Sequence, residues 1–149
     1  MGTKRSERLQ RVAEQFGRDR DLASRRLGEK RDALDRAEER LVELRDYLDT
    51  YHFELEQIRR SGTSAATLQN YAAFLAQLQT ALQQQQQNAN NARDAFERQM
   101  QVWYRARTQV RAVEQAAERH MVIERKALER AEQRQLDDLS LLRFVERRR

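Results

Sequence analysis
Leucine and its apolar substitutes recur every seven residues on both sides of one short break, Arg59-Arg60-Ser61-Gly62-Thr63-Ser64-Ala65-Ala66-Thr67-Leu68. Before the break one ladder reads Leu27, Leu34, Leu41, Leu48, Leu55. A second reads Leu9, Phe16, Ala23, Lys30, Ala37, Leu44, Tyr51, Ile58. Offset by three or four residues, the two ladders form the apolar seam of a coiled coil. After the break the pattern resumes as Leu68, Leu75, Leu82, Ala89, Phe96, Trp103, Val110, Ala117. Tyr71, Leu78, Gln85, Ala92, Gln99, Ala106 and Val113 run beside it. A helix keeps residues at this spacing on one face; a strand does not.

The break is where the chain can turn back. Gly62 is the only glycine after Gly28, and there is no proline. A glycine past the last periodic residue takes the left-handed conformation that ends a helix. Thr63 or Ser64 then caps the next helix through its hydroxyl. The expected fold class is all-α, a long two-helix antiparallel coiled-coil hairpin. Residues 1–149 form a single hairpin in this reading, with helix 1 at about 6–60, the turn at 61–64 and helix 2 at about 65–145. Ser6 is the expected N-cap of the first helix.

In the first arm the seam falls on Leu34, Leu41, Leu44, Leu48, Tyr51, Leu55 and Ile58. In the second it falls on Leu68, Tyr71, Leu75, Leu82, Phe96 and Trp103. Folding back brings Leu48 near Leu75 and Leu78, and Leu34 near Ala89 and Ala92, so that large residues face small ones. Gly17 and Gly28 each weaken the first helix by about 1 kcal/mol relative to alanine. The second arm is the longer, so an overhang of about 118–149 either frays or binds something.

Charged residues make up 36% of the chain, with both signs interspersed and a net charge of +5. That is the pattern of a solvated coiled-coil surface; only Arg147-Arg148-Arg149 is an unbalanced basic run. Disorder is the competing reading of so polar a chain, and the regular leucine spacing opposes it. The absence of cysteine excludes disulfide and thiolate chemistry and fits a reducing compartment. No apolar run approaches the roughly 20 residues that cross a bilayer, and the first residues carry no apolar signal segment. A cytoplasmic protein is expected.

Nothing in the chain reads as catalytic machinery. His52 and His120 stand far apart, without partners at metal-ligand spacing, and read as surface residues. Most carboxylates have an arginine at helical spacing, which is surface pairing. There is no glycine-rich phosphate loop, and a two-helix hairpin has no concave pocket. No enzyme, cofactor or metal is expected.

Binding is the better prospect. Phe74 and Ala81 lie one residue off the seam, and with Leu78 and Gln85 they make a strip at i, i+4, i+7 and i+11. Phe74 reads equally as an interface anchor and as a residue that broadens the core near the turn. Trp103 falls on the seam and Tyr104 points aside. Gln83–Gln87 with Asn88, Asn90 and Asn91 reads as polar helix in unbroken register.

The segment from Leu44-Arg-Asp-Tyr47-Leu48-Asp-Thr-Tyr51 through Gly62-Thr-Ser64 to Leu68-Gln-Asn70-Tyr71-Ala-Ala-Phe74-Leu75-Ala-Gln-Leu78 resembles the flagellar type III export protein family FliJ. Arg130-Ala-Glu132-Gln133-Arg-Gln-Leu136-Asp137-Asp138 is similar to that family's C-terminal pattern. The resemblance implies a two-helix stalk like that of rotary ATPases. It implies as partners a hexameric export ATPase, the export-gate membrane protein FlhA, and export chaperones. The family's gate-binding strip falls on Phe74, Leu78, Ala81 and Gln85, where some members have histidine at the last position. The location implied is cytoplasmic, peripheral to the inner membrane at the flagellar base, with a chain monomeric by itself. The injectisome stalk proteins are close analogues. A generic dimeric structural coiled coil is the runner-up, and a basic nucleic-acid binder is a third reading that the dispersed charges disfavour.

Overall fold
The computed structural model describes residues 4–148; Met1–Thr3 and Arg149, the last of the basic run, lie outside it. Two helices account for the fold. Helix α1 spans Arg5–Ser61 and α2 spans Ala65–Arg147, packed antiparallel, with no strand among the described residues. The all-α two-helix hairpin expected from the seven-residue rhythm is the fold observed.

The turn is built by local chemistry. Gly62 has φ of 79°, the left-handed conformation that a side chain disfavours. The Ser61 hydroxyl donates to the Ile58 carbonyl at 3.2 Å, satisfying one of the last orphan acceptors of α1. Of the two candidate caps for α2, Ser64 takes the position. Its Oγ accepts from the Thr67 N–H at 3.2 Å, and its carbonyl accepts the first helical bond from Leu68.

The contacts divide the molecule into two compact units, each containing a piece of both helices. The turn-proximal unit comprises Leu22–Tyr104. Its core is Ala23, Leu41, Leu44 and Leu55 against Leu75 and Ala89. Leu34, Leu48, Tyr51, Ile58, Leu68, Tyr71, Leu82, Phe96 and Trp103 are half-buried. Lys30 sits on the ladder but is exposed, since its ammonium cannot be left in an apolar seam.

Two glutamines of the ladder are accommodated differently. The Gln85 amide donates to the Ala37 carbonyl at 3.0 Å, and the Gln99 amide to the Ala23 carbonyl at 3.3 Å. Arg93 pairs with Glu38 at 2.6 Å and Arg45 donates to Gln86 at 3.0 Å along the rim.

The second unit joins Asp21 and the residues before it to Arg105 and those after it. Ala106, Val110 and Ala117 are its buried apolar residues, Val110 only 2% exposed. Ser6 does not cap α1. It lies inside the first turn, 4% exposed, and donates from both its N–H and its hydroxyl to Glu124. Pairing therefore reaches Glu124, further along α2 than the overhang beginning at about Glu118 that spacing suggested. From Leu128 onward α2 is exposed throughout its described length.

Candidate interaction surface
In the turn-proximal unit the off-seam strip divides by exposure. Phe74 is 40% exposed, and its ring meets Tyr51 edge-on, with centroids 4.7 Å apart and planes at 74°. Leu78 and Ala81 are half-buried. Gln85 is half-buried as well, its amide directed to the Ala37 carbonyl. Both earlier readings of Phe74 thus have a physical basis: one edge broadens the core and the rest faces solvent. Tyr51 fixes which edge that is.

The surroundings of the strip are set by charge. Between Arg60 and Arg93 the chain has no charged side chain, so the first seven turns or so of α2 present only apolar and neutral polar groups. The facing helix is the opposite. From Asp32 to Glu56, α1 carries nine carboxylates against Arg36, Arg40 and Arg45. Val42, Tyr47 and Phe53 are exposed among them. The charge-free run was visible in the sequence, though the seven-residue pattern alone does not reveal it.

Trp103 is half-buried and stacks on its neighbour Tyr104 at 5.0 Å with a tilt of 55°. His52 is exposed as expected, whereas His120 is half-buried, one turn before Glu124 on α2. Among the described residues no group of three or more His, Asp or Glu is placed to hold a metal ion, and no helix is long and apolar enough to cross a membrane.

The other notable surface is the free end of α2. Leu128, Leu136, Leu139 and Leu142 are all more than half exposed. Their spacing keeps them within one broad stripe of the helix. Leu141, Phe144 and Val145 are exposed on its other sides, with the Arg148 guanidinium over the Phe144 ring at 4.7 Å.

Fold and surface together define a two-helix coiled-coil protein whose accessible chemistry lies on helix faces. The chain belongs to the flagellar FliJ protein family, whose model matches residues 5–149. Its place is accordingly with the flagellar export apparatus, in a family of non-catalytic proteins. No curated protein and no solved structure matches the chain.

Proposed function
We infer that this chain is a stalk component that promotes assembly of the hexameric export ATPase ring and links that ring to the export gate FlhA and to export chaperones. Family membership along nearly the whole chain supports this reading, as does a hairpin whose exposed groups suit contact rather than catalysis. The chemistry belongs to the ring. A protein that binds the hexamer more tightly than the free subunit favours the hexamer by mass action. Its location in this reading is cytoplasmic and peripheral to the inner membrane.

The gate contact is assigned to Phe74, Leu78, Ala81 and Gln85. The observation that carries it is the outward part of the Phe74 ring, beside a helix stretch free of charge. A partner covering it removes an aromatic from water without stranding a charge.

The test is biochemical. The purified protein should raise hexamer formation and ATP hydrolysis by the cognate export ATPase. Phe74→Ala should retain helicity yet lose capture by the gate's cytoplasmic domain. No effect on the ATPase would reject the stalk role, and retained capture would reject the strip. An obligate dimer in light scattering would favour the structural-scaffold reading instead.

A further inference from the structure
We propose that the Glu124 carboxylate is a clasp that holds the first turn of α1 onto α2, and that opening it lengthens the uncovered apolar face of α2. Ser6 is the second residue of α1, so its N–H has no acceptor within the helix. That N–H donates to Glu124 Oε1 at 3.2 Å, while the Ser6 hydroxyl donates to Oε2 at 2.5 Å. One carboxylate from the other helix therefore performs the task that a capping side chain normally performs from the preceding residue. The residue before the helix, Lys4, has no side-chain acceptor for it. The carboxylate also stands at the positive end of the α1 dipole.

The neighbourhood fits a clasp. Ser6 is a buried polar residue, and Gln10 Nε2 donates to Met121 Sδ at 3.2 Å one turn further in. Lys4 just before α1, Glu7 on α1, and His120 and Arg125 on α2 are the charged and titratable groups around it. The Ser6 hydroxyl chiefly holds the Glu124 carboxyl below its ordinary range; desolvation opposes it, and the Ser6 N–H, Lys4 and His120 add to the lowering.

The clasp governs a boundary. Ala13 of α1 lies with Ala117, and Ala117 is 4% exposed. Met121 and Leu128 follow on α2 and are exposed already. Without the carboxylate, the first turns of α1 lose their polar anchor and fray. The uncovered α2 face then carries Ala117, Met121 and Leu128, and continues past Glu132 and Gln135 to Leu139 and Leu142.

Amide hydrogen exchange on the full chain tests this. Glu124→Ala should speed exchange from Leu9 to Phe16 about fivefold, the effect of losing a typical cap, and leave Leu41–Leu55 unchanged. Ser6→Ala, which keeps the N–H bond, should have a smaller effect at the same amides. The folded carboxyl titrates below the unfolded one. Wild-type protection is therefore complete above the unfolded value and is lost as pH falls through the folded value. Glu124→Gln should show no such loss beyond that of the other carboxylates. Unchanged protection in Glu124→Ala, a uniform loss along the chain, or identical pH curves for wild type and Glu124→Gln would each overturn the proposal.

Discussion

Gln85 reaches across the seam to the backbone of Ala37, its side-chain nitrogen donating to the Ala37 carbonyl at 3.0 Å. Gln99 repeats the bond on Ala23, two heptads along both helices. Each carbonyl has two lone pairs, so it accepts the glutamine without surrendering its helical bond. An apolar seam tolerates sliding by whole heptads, and a donor that fits one carbonyl opposes it. Gln85→Ala and Gln99→Ala should each cost about 1 kcal/mol. The pairs are far enough apart that the double variant should sum to within about 0.5 kcal/mol. Urea unfolding of the four proteins measures this, and a double variant no worse than either single would refute independent register bonds.

Burial ranks the leucines that periodicity treats alike. Leu44 is 7% exposed, whereas Leu48 is half-buried. Leu44→Ala should cost about 2–5 kcal/mol, as core truncations do, and Leu48→Ala clearly less. Equal midpoints in thermal melts would contradict the packing described.

Gly28 lies in unbroken helix, and a Cβ added there meets nothing within 4 Å. Gly28→Ala should therefore stabilise the protein by about 1 kcal/mol. A lower melting temperature would show that the glycine serves a contact.

Tyr51 and Phe74 form an edge-to-face pair across the two helices. A double-mutant cycle with alanine at both positions should give a coupling of about 0.5–1.5 kcal/mol. Zero coupling would mean that Phe74 is placed by its own helix alone. Circular dichroism on the same four proteins shows whether the hairpin survives, which any loss of gate capture requires for its interpretation.

Much of this molecule follows from local rules that need no knowledge of the partner helix. Seven-residue periodicity dictates two helices, because only a helix gathers those residues on one face. Gly62 dictates where the first ends, because it adopts positive φ without strain. Gln83–Gln87 stays helical for the same reason, being flanked by residues in register.

What periodicity could not decide is how each position is used. Gln85 and Gln99 count as polar interruptions in the ladder until a carbonyl is found opposite them. Ser6 has the chemistry of a cap, yet its hydroxyl donates across to Glu124 instead of accepting within its own helix. Phe74 is ambiguous one residue off the seam, and only the Tyr51 ring determines which edge is covered.

The sequence by itself determined two long helices and the point of reversal, since backbone preference and apolar spacing are properties of consecutive residues. Tertiary structure alone decided the Ser6–Glu124 clasp, the glutamine–carbonyl bonds and the extent of Phe74 exposure. Each depends on which atom of the other helix lies within about 3 Å, the reach of a hydrogen bond, or against an aromatic ring, and pairing register fixes that distance.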